Sequence, residues 1–235
     1  GESNNTDNTI TLGGNWTNNG LFNAGTGNNS NNITNPASVV LNGTTAQEIK
    51  GTLSTFFYNL VLSTNTNPYT TLYSDSLVIN NTLTLNNNQL SLGSGKLILN
   101  NNSNNTIQRT SGYIISENVF QSAVIQWNIN TSKALFEFPF GYNGNYIPFF
   151  FQLTSGNAGY VSVATYHSNA DNLPYPPTVL HTYDTSGVDN SENTVDRFWQ
   201  IESTGNSISA NITFTYADSE TPATGEGEII AQRWN

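Results

Sequence analysis

Two histidines, His167 and His181, are the side chains of this sequence that ordinarily titrate closest to neutral pH. A hydrolase would pair one of them with a serine nucleophile and an acid. The sequence has no Gly-x-Ser-x-Gly segment, which would form a nucleophile elbow. The spacing of the two histidines also matches no zinc-ligand pattern. We therefore predict no catalytic residue, and we interpret both histidines as surface or strand-end residues.

Acidic residues are the next candidates, since calcium binds several oxygen ligands at once. One loop and the following strand start contain four of them: Asp184, Asp189, Glu192 and Asp196. Neither the EF-hand spacing nor a Gly-rich calcium nonapeptide is present. The segment is therefore either a calcium-binding loop or a solvated loop, and we assign no metal or cofactor to it.

A glycosidase would need two carboxylates that face each other across a cleft. Four glutamates lie on or near predicted strands, but they are scattered along the chain: Glu202, Glu220, Glu226 and Glu228. A polysaccharide lyase would need bases on one face of the first half, which has few: Lys50, Lys96 and Arg109. The sequence thus predicts a protein that is not an enzyme.

Aromatic residues could form a platform on which sugar rings stack. The sequence has 11 Tyr, 12 Phe and four Trp residues, namely Trp16, Trp127, Trp199 and Trp234. Phe136, Phe138 and Phe140 alternate with period two, which indicates one buried strand face. Most aromatic residues are therefore expected in the core, and glycan binding remains an alternative.

The charge balance excludes one class of partner. The sequence carries 16 acidic and 6 basic residues, a net charge of −10. Nucleic acid requires Lys and Arg to neutralise its phosphates, so we predict no nucleic-acid partner. The absence of Cys excludes disulfides. No run of about 18 apolar residues exists, so we predict no membrane-spanning segment.

The fold is most readable in residues 77–102. An apolar-x-apolar unit recurs there every seven residues: Leu83-Thr84-Leu85, Leu90-Ser91-Leu92 and Leu97-Ile98-Leu99. Asn- and Gly-rich turns separate the units. Because a strand repeats its face every two residues and seven is odd, the register survives only if the chain turns between units. This pattern predicts a β-solenoid in which Asn side chains stack from turn to turn.

The composition changes near residue 115, where Asn becomes rarer and the predicted strands become longer. These strands fall at residues 123–129, 134–140, 146–153, 159–166, 178–183, 196–202, 208–216 and 227–233. We predict an all-β protein in which an N-terminal β-solenoid, like a parallel β-helix, is followed by an antiparallel β-sandwich. The expected domains are residues 1–115 and 116–235. The chain ends at Trp234-Asn235 within a predicted strand, so we expect the sandwich to be truncated or completed by a neighbour.

Regular Thr rows would suggest ice or crystal binding. The pairs Thr9-x-Thr11 and Thr82-x-Thr84 exist, but the sequence contains no regular Thr-x-Thr array. We therefore do not predict this function.

Two stretches resemble a known group of proteins. Residues 42–51 read NGTTAQEIKG and are followed by FYNLVL, and residues 195–201 read VDRFWQI. They are similar to the rungs, and to the module after the rungs, of large secreted surface proteins of the Bacteroidota. The resemblance implies export by type IX secretion and a role as an adhesin or surface fibre. The triplet Asp75-Ser76-Leu77 also matches the O-glycosylation acceptor of that phylum, which implies a glycan on Ser76.

We therefore predict a non-enzymatic, extracellular structural or adhesive module of a bacterial surface protein. Its expected partners are copies of itself or neighbouring domains, joined end to end into a filament, and surface glycans. The alternative is a carbohydrate-binding module of a larger secreted protein.

Overall fold

Short strands separated by turns account for most of the chain. The computed structural model describes residues 8–22, 37–63, 69–118, 123–176, 178–184 and 186–222. Two short 3-10 helices, Ser191–Asn193 and Asp218–Glu220, accompany the strands in these ranges. The strands are β1 (Asn8–Leu12), β2 (Trp16–Thr17), β3 (Ala37–Leu41), β4 (Gln47–Lys50), β5 (Thr55–Ser63), β6 (Tyr69–Leu72), β7 (Ser76–Asn86), β8 (Gln89–Ser91), β9 (Lys96–Leu99), β10 (Ile107–Arg109), β11 (Tyr113–Ile115), β12 (Ile125–Asn128), β13 (Leu135–Phe138), β14 (Gly141–Tyr142), β15 (Asn145–Tyr146), β16 (Phe149–Ser155), β17 (Tyr160–His167), β18 (Arg197–Ser203) and β19 (Ser209–Thr213).

The first half coils into a β-solenoid of about three turns, which confirms the predicted fold class. Its strands alternate between two sheets of parallel strands. Sheet A begins β1-β3-β5-β7-β9-β12, and sheet B has the order β11-β8-β6-β4-β2. The long strand β7 pairs with β9 through residues 76–79 and with β10 through residues 83–85. Each turn therefore contributes one strand of sheet B and two strand segments of sheet A.

The seven-residue repeat corresponds to the spacing between successive strand segments of one turn. Leu83 and Leu85 lie on β7, the second unit lies on β8 and directly after it, and the third lies on β9. All six leucines of these units are fully buried. Burial of one Leu side chain contributes about 1.5–3 kcal/mol, so every turn adds substantially to the core. The chain thus bends between the units, as predicted, and this bend keeps every unit facing inward.

Asparagine side chains link successive turns at the point where β5 and β7 bend. The Asn59 amide donates to Ser38 Oγ at 3.1 Å, and the Asn81 amide donates to Asn59 Oδ1 at 2.8 Å. The Asn101 amide then donates to Asn81 Oδ1 at 3.3 Å. These three hydrogen bonds join side chains of four successive rungs, and we call them the Asn ladder. They are the stacking that the Asn-rich sequence predicts.

Asn81→Ala is expected to lower the free energy of unfolding by about 0.5–1.5 kcal/mol, because it removes two hydrogen bonds of the Asn ladder. The loss stays modest because Asn59 keeps its bond from Thr82 and Asn101 keeps its bond to the backbone carbonyl of residue 81. Urea denaturation measures this change. Asn211→Ala on the exposed strand β19 is the matched control and should change the free energy by less than about 0.5 kcal/mol. Equal effects of the two substitutions would contradict a stabilising role for the ladder.

The second half continues sheet A and adds a second layer. Strand β12 runs parallel to β9 on one side and antiparallel to β17 on the other, and β18 pairs antiparallel with β17. The antiparallel sheet C (β13-β16-β19) forms the facing layer. Between the layers, the Trp127 ring packs edge-on against Phe136 and Phe138, at centroid distances of 5.1 and 5.3 Å. Phe136, Phe138 and Phe140 are fully buried, as their period-two spacing predicts.

Some predicted elements differ from the structure. The strand predicted at residues 178–183 is wrong, because that segment forms a loop whose Leu180 side chain is 85% exposed. Its apolar residues have no neighbouring strand to pair with among the described residues. The strand predicted at residues 227–233 lies outside the described residues, and the two domain ranges stay a prediction. In the part of the chain that the structure describes, no helix is long and apolar enough to cross a membrane.

Candidate functional site

The most elaborate polar cluster surrounds Arg197 at the start of β18, where the side chain is completely buried. Its guanidinium binds Glu220 with two bonds, from Nε to Oε2 at 2.9 Å and from Nη2 to Oε1 at 2.6 Å. The Nη1 atom donates to Glu117 Oε1 and to Thr165 Oγ1, each at 2.9 Å. Arg197 thus joins the segment after β11, strand β17 and the helical turn at residues 218–220.

His167, at the end of β17, lies at the border of this cluster. Its Nδ1 is 3.1 Å from Glu220 Oε1, and its backbone N–H donates to Glu117 Oε2 at 2.6 Å. Its ring stacks on Tyr142 with centroids 5.0 Å apart. His167 is therefore a strand-end residue, as predicted, with a defined structural partner.

The charges in the cluster stabilise one another. Burial raises the pKa of Glu220, but hydrogen bonds from Arg197 and from the Ala217 N–H outweigh it and hold the pKa below the usual 4.5. Burial raises the pKa of Glu117 above 4.5, although the charge of Arg197 opposes this shift. Burial of Arg197 disfavours its charged form, but hydrogen bonds to Glu220 and the charge of Glu117 raise its pKa overall. An Arg that stays charged and a Glu that stays ionised hold the chain together and are poorly suited to proton transfer near neutral pH.

The sequence does not indicate this cluster. Arg197 stands out only as part of the VDRFWQI segment, and Glu117 lies in none of the motifs. One signal was available: Arg197 directly precedes Phe198 and Trp199 in a predicted strand, and a charged residue inside such a strand requires a partner. The partners themselves are 80 and 23 residues away in the chain, so spacing could not indicate them.

The acidic loop uses its carboxylates to stabilise its own turns. Asp184 Oδ1 accepts the N–H of Ser186 at 2.8 Å and that of Val188 at 3.0 Å. Asp189 Oδ1 accepts both the hydroxyl and the N–H of Ser191, and these bonds lower its pKa. Asp196 accepts the Asn172 amide at 3.3 Å, and burial raises its pKa. Within the described ranges, no group of three or more His, Cys, Asp or Glu residues is arranged to hold a metal ion.

The other predicted candidates are dispersed. His181 stacks on Tyr183, with centroids 4.2 Å apart, in an exposed loop. Glu202 accepts the Gln200 amide at 2.9 Å on β18, and Glu226 and Glu228 lie outside the described residues. Ser76 begins β7 half-buried, with its Oγ 2.6 Å from Ser54 Oγ, so its glycosylation stays a prediction.

The tryptophans divide between core and surface positions. Trp127 is fully buried and Trp199 is half-buried against Phe214. Trp16 packs against Phe22 and Phe57 near the N-terminal end of the solenoid. Trp234 lies outside the described residues. These four residues therefore do not form one sugar-binding platform.

A second polar cluster lies where the solenoid meets the later strands. The Arg109 guanidinium stacks 3.7 Å above the Tyr146 ring, and Arg109 Nε donates to the Gly112 carbonyl at 2.8 Å. The Tyr146 hydroxyl donates to Glu137. Burial and the adjacent carboxylate raise the pKa of Tyr146, so the hydroxyl stays protonated.

Comparison of the chain with protein-family models, with curated proteins and with solved structures found no match. The class that the structure itself defines is an all-β protein whose solenoid continues into antiparallel sheets.

Proposed function

We propose that this chain is a non-enzymatic structural and adhesive module of an extracellular bacterial surface protein, which associates end to end with copies of itself. The composition and the resemblance of residues 42–51 and 195–201 to surface-protein rungs support the extracellular assignment. The architecture supports the structural role.

One observation carries the proposal: sheet A extends by hydrogen-bonded pairing from β1 to β18. Strand β12 is both the last parallel strand of the solenoid and the first partner of the antiparallel part. Tension between the two halves is therefore distributed over the backbone hydrogen bonds between β9 and β12, in addition to the covalent connection. The Arg197 cluster reinforces the same connection, because it joins Glu117, after β11, to β17 and β18.

The two ends of sheet A favour head-to-tail association. Among the described residues, β1 pairs only with β3, and β18 pairs only with β17. Strand β17 runs antiparallel to β12, and β18 runs antiparallel to β17, so β18 has the same direction as β12 and β1. Strand β18 of one copy can then pair in parallel with β1 of the next copy. Such heterologous contacts form open filaments when the rotation between copies does not close a ring, and exposed edges are natural sites of strand addition.

Electron microscopy and sedimentation at increasing protein concentration test this proposal. We expect particles that lengthen in steps of one chain. Thr11→Lys adds a charge to edge strand β1 and should prevent this lengthening. Thr84→Lys is the matched control, because Thr84 points outward on the interior strand β7, and it should leave assembly intact. A strictly monomeric protein at all concentrations would contradict end-to-end association.

A further inference from the structure

We propose that the outer face of sheet B binds an extended, neutral oligosaccharide through Tyr69 and Tyr73. This function is independent of end-to-end association. The structural basis is a pair of exposed rings on one strand, with neutral hydrogen-bonding groups between and beside them. This pair is separate from the four tryptophans considered above.

Tyr69 and Tyr73 lie on and directly after β6, and their side chains are 52% and 59% exposed. Residues four apart on a strand share one face, and their Cα atoms are roughly 13 Å apart. Neither tyrosine side chain has a ring contact or hydrogen bond among the described residues, and Tyr73 is held by its backbone N–H, which donates to the Ile49 carbonyl at 2.8 Å. The two rings are thus a pair of free apolar surfaces on a rigid strand.

Each of the two rings has one small neighbour on an adjacent rung. Tyr69 lies beside Ala46, which directly precedes Gln47, the register partner of Thr70. Tyr73 lies beside Gly93, since Ser91 is the partner of Thr71 and Gly93 contacts Leu72. Each ring therefore has a small residue on one side, while the other side carries Gln89 beside Tyr69 and Lys50 beside Tyr73.

The surface between the rings is neutral and polar. Thr71 lies between them on β6, and Gln89 and Ser91 lie opposite on β8. The charges nearby neutralise each other, since Lys50 Nζ is 2.5 Å from Glu48 Oε2 on β4. Between the two rings this surface offers hydroxyl and amide groups, and the exposed Asp75 beyond Tyr73 adds one negative charge at its border.

These features match the chemistry of a sugar chain. A pyranose presents an apolar C–H face that can stack on an aromatic ring, and its hydroxyl edges need neutral donors and acceptors. An anionic ligand is disfavoured by the net charge of −10. Two rings on a straight strand require an extended chain of several sugars, so a monosaccharide would engage only one of them.

Affinity electrophoresis tests the proposal with gels that contain a soluble neutral polysaccharide: hydroxyethylcellulose, xylan, galactomannan or β-1,3-glucan. Chitin and crystalline cellulose are tested by sedimentation with the protein. We expect retention on at least one of these probes, with little change in high salt. Tyr69→Ala and Tyr73→Ala should each weaken binding by about three- to tenfold, as expected for loss of one aromatic contact. The double variant should not bind.

Tyr183→Ala is the matched control, because Tyr183 is also 52% exposed but lies in the loop before the 3-10 helix at residues 191–193, outside sheet B. It should bind like the unaltered protein. Thermal unfolding of all variants should be unchanged, since both target side chains are exposed. Retention on none of the six probes, or equal retention of the double variant, would overturn the proposal. If the tyrosine variants instead reduced self-association, sheet B would be a contact between copies, and the glycan site would be rejected.

Discussion

Arg197→Ala is expected to lower the free energy of unfolding by about 3–5 kcal/mol, since it leaves the buried carboxylate of Glu220 and the partly buried carboxylate of Glu117 without the guanidinium. Glu220 would lose both of its bonds to the guanidinium, and Glu117 and Thr165 would each lose one. The cluster also joins three separate chain segments, so the loss should not be confined to β18. Chemical denaturation, monitored by tryptophan fluorescence, measures the change.

Lys50→Ala is the control for this prediction. It removes the exposed Lys50–Glu48 pair, whose side chains are 43% and 36% accessible, and exposed pairs contribute only about 0–1 kcal/mol. If the two substitutions had equal effects, the buried cluster would have no special role in stability.

Acidification provides an independent test of the same cluster. Because the folded pKa of Glu220 lies below 4.5, its contribution is fully present above pH 4.5 and is lost as the pH falls through the folded pKa. Glu117 has the opposite sign, since its folded pKa is raised and its contribution decreases as the pH rises through that value. Glu220→Gln removes only the first contribution. The stability of this variant should therefore fall less steeply below pH 4.5 than that of the unaltered protein.

Trp127→Ala is expected to cost about 3–5 kcal/mol, the usual range for removal of a large buried aromatic side chain. Trp127 is fully buried between the layers, and its Nε1 donates to the Asn101 carbonyl at 3.1 Å. The substitution would open a cavity beside Phe136 and Phe138 at the strand shared by the solenoid and the antiparallel part. Calorimetry should then show a lower melting temperature for the whole chain.

Trp127→Phe separates the contribution of packing from that of the hydrogen bond, because it keeps most of the ring volume and removes the hydrogen bond. It should cost less than the alanine substitution. Leu180→Ala is the surface control, since this residue is 85% exposed, and it should leave stability unchanged within about 0.5 kcal/mol. A small effect of Trp127→Ala would mean that the junction does not depend on this packing.

The solenoid could be predicted because its determinants are local. Leu83, Leu90 and Leu97 begin units seven residues apart, and the turn residues between them are adjacent in the chain. The inward face of β13 was predictable for the same reason, since Phe136 and Phe138 alternate along a single strand. The strand predicted at residues 178–183 is a loop, because apolar residues alone do not provide a neighbouring strand with which to pair.

The candidate sites were less predictable. Asp184 and Asp189 are close in sequence, so they attracted a calcium hypothesis, yet each accepts hydrogen bonds from its own turn. The sequence does not distinguish Tyr69 and Tyr73 from core aromatics, because their exposure depends on which residues of the adjacent rungs lie beside them. A neighbour on the next rung is about twenty residues away, and its identity matters only after the register is known.

By itself, the amino-acid sequence determined that this chain is all β and that its first half coils, because short apolar units and Asn- or Gly-rich turns act over a few residues. Only the tertiary structure decided that sheet A continues through β12 into the antiparallel strands. It also decided that Arg197 meets Glu117 and Glu220, which lie 80 and 23 residues away. The physical reason is that a buried charge is stabilised by groups that surround it in space, and their distance along the chain carries no information about that arrangement.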